Sequence, residues 1–172
     1  MLSELRSKSQ ITIPKQIVSS LNLNEGDKLE ITEKDGVIQI VPVAVYPKKY
    51  IDEIQDEINT IKSEVASGKR PVFDNIDSMF DALKWFMKIT YSQRFEKSYK
   101  KLNDQEKTQV RSKLKILAEN PSHPSLRCKR IQGIKELFEC SVNMDIRIIW
   151  HYENDELILL LDIGHHDILK KF

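Results

Sequence analysis

The sequence predicts an α+β protein in which two small modules are joined by a helical segment. Short apolar runs separated by turn residues occur at both ends of the 172-residue chain, whereas the middle shows helical periodicity. The charges divide in the same way: residues 1–49 carry a net charge of +1, residues 50–86 of −4 and residues 87–172 of +4. An acidic segment between a nearly neutral module and a basic one indicates that the middle pairs with the end.

The N-terminal module, predicted to span residues 1–47, alternates short strands, turns and one short helix. Residues 10–13 fit a strand, and Pro14 suits the first turn of a helix because its missing N–H needs no partner there. Two further strands are predicted at residues 29–31 and 37–40, on either side of the tight turn KDG. A module of about 45 residues buries little surface, so we expect it to need a partner chain.

The order of these elements resembles the AbrB/MazE/SpoVT swapped-hairpin family. The strand followed by IP, the short helix and the pattern L-x-x-G-D-x-L-x-I carry the resemblance. It implies that two copies interleave their hairpins into one small barrel, of which each chain supplies half, and that the barrel presents cations to operator DNA. The implied DNA-binding residues are Arg6, Lys8 and Lys15. With so few cations, DNA affinity is expected to be modest and strongly salt dependent; alternatively, these side chains only solvate a dimerisation module.

Residues 48–86 are predicted to be an acidic helical segment. Apolar residues recur at spacings of three and four along its first helix: Ile51, Ile54, Ile58, Ile61 and Val65. A second short apolar stripe follows the break SGKRPVFDN. Since nothing within the segment covers both stripes, we expect them to dock on the basic module, within one chain or across a dimer; the alternative is a coiled coil between two copies. The residues predicted to make this contact, and so to neutralise the basic module, are Ile54, Ile58, Ile61, Phe80 and Leu83.

The C-terminal module, residues 87–172, is predicted to be one antiparallel sheet with two helices on one face. A strand at KITYS precedes two amphipathic helices, and four strands follow the helices. These strands are predicted around residues 126–130, at ELFECSV, at IRIIWHY and at LILLLDIG.

This order resembles the RelE/ParE toxin superfamily over the whole C-terminal module. The segments HPSLRCKRIQGIKELFECSVNMDIRIIW and DIGHHDILKKF carry the resemblance. It implies a metal-independent endoribonuclease that cuts ribosome-bound mRNA and needs no cofactor. The chain is then predicted to be an antitoxin and a tethered, autoinhibited toxin in one polypeptide. The alternative is a ParE-like or decayed toxin that acts as a binding or corepressor protein without cutting RNA.

The resemblance also implies the residues of a ribonuclease site. Cleavage by the ribose 2′-hydroxyl needs a base, cations that stabilise the crowded phosphorane, and an acid for the leaving 5′-oxygen. The implied catalytic residues are His166, His165, Arg147 and Glu139. The implied RNA-binding residues are Lys129, Arg130 and Arg127. It stays open at this point whether Arg147 is instead a structural ion-pair partner, for example of Glu139, and whether Lys129 and Arg130 are only solvated.

The composition bears on membrane insertion, cellular location and cysteine chemistry. No window approaches the roughly 18 consecutive apolar residues of a membrane span, and the N-terminus lacks the apolar core of a secretory signal. The chain is therefore expected to be cytoplasmic. Two cysteines, Cys128 and Cys140, are too few for a disulfide framework, and neither has further ligands at zinc-binding spacing.

Overall fold

The computed structural model describes residues 2–73, 88–154 and 157–165. Its strands are β1 (Lys28–Lys34), β2 (Val37–Ala44), β3 (Lys88–Tyr91), β4 (Lys129–Ile131), β5 (Leu137–Ser141), β6 (Ile146–Asn154) and β7 (Leu157–His165). Its α-helices are α1 (Lys15–Ser20), α2 (Lys48–Ala66), α3 (Gln93–Lys100) and α4 (Asp104–Glu119). Single 3-10 turns lie at Ser7–Ser9 and Pro124–Leu126.

These strands form one mixed sheet with the order β1-β2-β4-β5-β6-β7-β3. Strands β4 to β7 are antiparallel neighbours, as predicted. Strand β3, however, runs parallel to β7, and β2 of the N-terminal module runs parallel to β4. The prediction of a purely antiparallel C-terminal sheet is wrong at its β3 edge, where β3 pairs parallel with β7. The two strands are connected through both helices and strands β4 to β6, and a long connection of this kind allows parallel pairing.

Helices α3 and α4 cover one face of the sheet. Helix α3 begins where the Ser92 side chain accepts a hydrogen bond from the Phe95 N–H. Helix α4 begins at a capping box in which Asn103 and Glu106 each accept a hydrogen bond from the other's backbone N–H. Their apolar sides share a buried cluster with sheet residues, which includes Phe95, Leu114, Leu117, Ile148, Trp150, Ile158 and Leu160.

Helix α2 covers the opposite face of the same sheet. The predicted stripe residues Ile54, Ile58 and Ile61 are buried in one cluster with Leu137, Ile149, Leu157, Leu159 and Leu161 of the sheet. Strand β7 is therefore buried on both faces, which explains its nearly continuous apolar run. The other two residues of the predicted neutralising set, Phe80 and Leu83, lie outside the described residues, as does the predicted module boundary at Met87.

The N-terminal module contains the predicted hairpin, but not a closed barrel. Strands β1 and β2 pair antiparallel around Asp35 and Gly36, which both have positive φ, 53° and 77°. The strand predicted at residues 10–13 does not form; Gln10 makes a single bridge to Arg6. Among the residues that the structure describes, no strand pairs with this segment, and apolar side chains of the module stay exposed, among them Leu5, Ile11, Ile31, Val37 and Ile38.

The strand predicted at residues 126–130 is displaced toward the C-terminus. His123 accepts a hydrogen bond from the Ser125 N–H and caps the turn Pro124–Leu126, and Arg127 then has a left-handed backbone with φ 46°. The chain becomes extended only at Lys129. Cys128 and Cys140 are both free thiols. In the described ranges, no helix combines the length and apolarity needed to cross a bilayer.

Replacing Ile58 by alanine should lower the free energy of unfolding by about 2–5 kcal/mol, because Ile58 is 1% exposed and the change leaves a cavity between α2 and the sheet. Chemical denaturation of the full chain measures the change. The control is Asp52→Ala on the exposed side of α2, which should shift stability by less than about 0.5 kcal/mol. An Ile58→Ala effect as small as that of the control would contradict the packing of α2 on the sheet.

Candidate functional site

Strand β4 and the residues just before it carry the three cations predicted to bind RNA, and these cations face carboxylates of the hairpin. Lys129 Nζ lies 2.5 Å from Asp27 Oδ1, and Arg130 forms an ion pair with Glu30. Burial acts to raise the pKa of Asp27, but hydrogen bonds from Lys129 and a backbone N–H, with the charges of Lys129 and Arg127, lower it on balance. The two residues predicted to be solvated in the alternative interpretation are therefore both paired.

Backbone pairing brings those carboxylates to β4. Strand β2 extends the C-terminal sheet at the β4 edge, with Val43 opposite Arg130 and Ala44 opposite Ile131. The Gln132 N–H donates to the Ala44 carbonyl over 3.1 Å, and the Gln132 side chain donates to Glu30 over 3.4 Å. The hairpin thus adds a strand to an otherwise unpaired edge, a common mode of peptide recognition.

Glu139, a predicted catalytic carboxylate, lies on β5 beneath the start of α2. The Tyr46 hydroxyl donates to Glu139 Oε2 over 2.6 Å, and both side chains are buried. The Tyr46 ring also stacks on Tyr50, with ring centroids 5.1 Å apart. Burial, the Glu139 charge and this hydrogen bond all raise the pKa of Tyr46, so the phenol stays a donor at neutral pH. One oxygen of Glu139 is therefore occupied by the segment that leads into α2.

A second buried carboxylate, Asp162 on β7, is also engaged by α2. The Tyr50 hydroxyl donates to Asp162 Oδ2 over 3.2 Å, and Ser98 of α3 donates to Oδ1 over 3.0 Å. Burial raises the pKa of Asp162, and these hydrogen bonds together with the Arg94 charge counteract that rise. Sequence reasoning missed this residue: Asp162 begins the segment DIGHHDILKKF, but the resemblance implied roles only for the two histidines of that segment.

Arg94 of α3 joins the two helices at the same corner. Its guanidinium lies 2.8 Å from Glu53 and 3.1 Å from Glu57, both on α2, and 5.6 Å from the centre of the Tyr50 ring. Lys62 near the end of α2 pairs with Glu153 of β6 over 2.6 Å. The ion pairs of Arg94 follow the opposite net charges of the two segments, whereas the Lys62–Glu153 pair has the reverse polarity.

Arg147, predicted as a catalytic cation, holds the turn between β5 and β6. Its guanidinium donates to the carbonyls of Asn143, Met144 and Ile146 over 3.0–3.2 Å. Its suggested ion-pair partner, Glu139, instead accepts from Tyr46. The charge of Arg147 still acts to lower the pKa of Tyr46, so its field reaches the Glu139 region.

His165 lies at the end of β7, away from Glu139. Its Nδ1 hydrogen-bonds Asp145, and its Nε2 lies 3.7 Å from Glu106 of α4. Its partner in the sheet, Ile146, packs in the cluster under α3 and α4, whereas Ile149, the partner of Glu139, packs under α2. The sheet thus separates His165 from Glu139, so these two predicted catalytic residues are not brought onto one face. His166 lies outside the described residues.

The predicted DNA-binding cations lie in the N-terminal module and are all exposed. Arg6 and Lys8 lie at and in the turn Ser7–Ser9, and Lys15 is the first residue of α1. No cluster of three or more potential metal-binding side chains occurs in the parts of the chain that the structure describes.

Two family models match the chain and confirm both resemblances. Residues 5–49 match MazE, described as "Antidote-toxin recognition MazE, bacterial antitoxin". Residues 89–169 match "ParE toxin of type II toxin-antitoxin system, parDE". No curated protein matches the chain.

Several solved structures are similar to about half of this chain. A chain of the E. coli DinJ-YafQ toxin–antitoxin complex is 21% identical over 49% of this chain and 97% of its own, with a TM-score of 0.43. A chain of the intact E. coli RelBE toxin–antitoxin complex is 15% identical over 45% of this chain and 93% of its own, with a TM-score of 0.39. A chain of the YoeB dimer from Staphylococcus aureus is 17% identical over 47% of this chain and 98% of its own, with a TM-score of 0.38.

The Asp145–His165 pair should make stability depend on pH. The hydrogen bond and charge of Asp145, with the charge of Glu106, raise the pKa of His165 above its ordinary 6.5. A raised folded-state pKa means that the pair stabilises fully below pH 6.5 and loses its effect as the pH rises through the folded-state pKa. NMR titration of the imidazole should show the raised midpoint, and the stability difference between wild type and His165→Gln should shrink over that window.

Asp145→Asn should return the His165 midpoint toward 6.5, whereas Asp52→Asn, on the exposed side of α2, should leave it unchanged. A His165 midpoint that does not respond to Asp145→Asn would show that this carboxylate is not its partner.

Proposed function

We propose that this chain, which joins a MazE/AbrB-type antitoxin domain to a ParE/RelE-superfamily toxin domain, keeps its own toxin inactive. The toxin domain is proposed to be a metal-independent endoribonuclease that cuts ribosome-bound mRNA, and the antitoxin domain to bind operator DNA as a homodimer. One observation carries the proposal: α2 and the segment leading into it bury the sheet face that holds Glu139.

Burial of α2 supports neutralisation within one chain. Each of Ile54, Ile58 and Ile61 removes a large apolar side chain from water, worth about 1.5–3 kcal/mol apiece. The covalent link raises the effective concentration of α2 to roughly the millimolar range, so even a weak contact stays closed most of the time. Ion pairs of Arg94 with Glu53 and Glu57 set the orientation of the helix.

The chemistry assigns a role to each proposed catalytic residue. Glu139 accepts the 2′-hydroxyl proton or orients a cation, and Arg147 supplies positive charge near it. His166, with His165 beside it, transfers protons to the leaving oxygen, because imidazole titrates near neutral pH. In the closed chain, Tyr46 donates to Glu139 and competes with substrate for this oxygen.

The exposed apolar surface of the N-terminal domain supports dimerisation through it. A groove of about 360 Å³ is lined by apolar residues of α1, of the segments on either side of α1 and of the hairpin, among them Ile13, Ile17, Leu23, Leu29 and Ile40. A second copy would cover this groove and the exposed hairpin residues, since an apolar patch of this kind marks an interaction site. The dimer would carry two copies of Arg6, Lys8 and Lys15 for a roughly palindromic operator, through which the protein regulates its own transcription.

A non-catalytic toxin domain is the second candidate, and two observations favour it. Arg147 is held by carbonyls of its own turn, and His165 faces away from Glu139. In that case the domain acts as a binding protein or corepressor, and α2 stabilises the sheet without inhibiting an enzyme.

Disrupting α2 in the full chain should release RNA cleavage. Ile54→Asp with Ile58→Asp places carboxylates in the apolar cluster, so mRNA in a translation extract should be cut only by this variant and not by wild type. Adding His166→Ala should abolish the cleavage. The control, Asn59→Asp with Thr60→Asp, adds the same charge on the exposed side of α2 and should stay inactive.

Circular dichroism establishes that the released variant keeps its sheet. A folded variant that never cleaves mRNA would support the non-catalytic candidate, and equal cleavage by wild type would contradict inhibition by α2.

Removing antitoxin cations should weaken DNA binding. Lys8→Ala with Lys15→Ala should lower the affinity for DNA from upstream of the protein's own gene and reduce the slope of log K against log salt by about 0.9 per lost phosphate contact. Fluorescence anisotropy measures both. Lys69→Ala with Lys101→Ala removes the same charge at exposed sites outside the N-terminal domain. Equal effects of the two pairs would show that Lys8 and Lys15 are wrongly assigned.

A further inference from the structure

We infer that Asp27 and Glu30 of the hairpin occupy the positions at which RNA phosphates bind the toxin domain, so that the DNA-binding domain is itself an inhibitor, independent of α2. The inference rests on the proposed function in one respect, namely that the toxin domain binds RNA. It assigns to the antitoxin hairpin a role that neither its dimerisation nor DNA binding requires.

The hairpin contacts the cationic edge strand β4 at defined positions. Strand β2 pairs with β4 at Arg130 and Ile131, and this pairing fixes β1 so that its carboxylates reach the cations. Lys129 and Arg130 are successive residues of a strand, so their side chains leave opposite faces of the sheet. Asp27 engages the first and Glu30 the second, and the hairpin thus holds the edge strand from both sides.

The Asp27 contact lies on the candidate catalytic face. Lys129 is directly opposite Glu139 in the β4–β5 register, so both side chains leave the same face of the sheet. A phosphate held by Lys129 would therefore lie beside the carboxylate proposed to act on the neighbouring 2′-hydroxyl. In the closed chain, the carboxylate of Asp27 takes that position, with the same charge sign and the same hydrogen-bond acceptors as a phosphate oxygen.

Electrostatic interactions keep the Asp27 carboxylate ionised in this contact. The pKa of Asp27 is lowered by its partners, so the carboxylate is charged at neutral pH. The Lys129 and Asp27 side chains are only 22% and 16% exposed, which limits screening by salt. Without the hairpin, Arg127, Lys129 and Arg130 would form a cluster of three positive charges beside an unpaired strand edge, the chemistry that binds a nucleic-acid backbone.

Folding stability alone gives little reason for these pairs, since the more exposed Arg130–Glu30 pair gains little and the sheltered Lys129–Asp27 pair loses much of its gain to desolvation. A test must therefore separate RNA exclusion from stability. The substitutions Asp27→Asn and Glu30→Gln remove charge but keep size, and an asparagine at 27 can still accept the hydrogen bond from the Asn24 N–H.

The experiment uses the full chain and a fluorescent single-stranded RNA that carries 2′-O-methyl groups and so cannot be cleaved. Asp27→Asn with Glu30→Gln should bind this RNA about tenfold more tightly than wild type, by freeing two phosphate contacts. The control, Glu25→Gln with Asp35→Asn, makes the same change of net charge at exposed hairpin positions and should change affinity by less than about twofold. Adding Lys129→Ala and Arg130→Ala should remove the gain.

Two results would overturn the inference. One is an equal gain from the test and control pairs, which would reflect net charge only; the other is a gain that survives loss of Lys129 and Arg130, which would place the RNA elsewhere. Thermal unfolding of both pairs establishes that each is folded. These results do not decide the proposed nuclease function. That function is tested by mRNA cleavage by the α2 variant and not by binding of this uncleavable RNA.

Discussion

Everything else in the fold depends on the burial of the second face of the sheet by α2. Strand β7 is apolar on both sides, and Leu157, Leu159 and Leu161 would face water if α2 left. Covering these side chains stabilises the fold through the hydrophobic effect, which has no directional requirement and therefore does not by itself choose a register for α2. The polar contacts make that choice. Tyr46, Tyr50 and Arg94 engage partners at fixed positions, and each buried carboxylate would be costly to leave unpaired.

If α2 inhibits the toxin domain as proposed, one contact serves stability and inhibition together. Helix α2 and the segment leading into it cover the sheet face that holds Glu139 and Asp162. Tyr50, which donates to Asp162, continues the stripe of isoleucines by one turn, and Tyr46, which donates to Glu139, lies just before the helix.

The sequence contained enough to predict α2 and the order of the toxin elements, since stripe spacing, opposite charge and turn residues are local signals. It did not contain the position of the hairpin. Pairing of β2 with β4 depends on a strand edge that exists only after folding. In the sequence, Asp27 and Glu30 are therefore indistinguishable from ordinary exposed acidic residues of a hairpin. The position of His165 on the opposite face of the sheet from Glu139 has another cause. The β6–β7 register shifts between Ile149 and Trp150, and a shift of one residue moves later side chains to the opposite face. Simple alternation from Leu157, Leu159 and Leu161 would have placed His165 with Glu139.

The hairpin and the start of α2 are joined by a short link, so a displacement of the hairpin also reaches the Tyr46–Glu139 contact. Only residues 45–47 separate the end of β2 from the start of α2, and Tyr46, which donates to Glu139, lies among them. An RNA backbone that displaced the hairpin from β4 would therefore also pull Tyr46 from the carboxylate beside Lys129. Ile54, Ile58 and Ile61 lie further along the helix and would keep the rest of α2 in place. If RNA enters at this edge as inferred, its entry requires less free energy than removal of the whole of α2, because the polar contacts exchange partners while the apolar cluster stays buried.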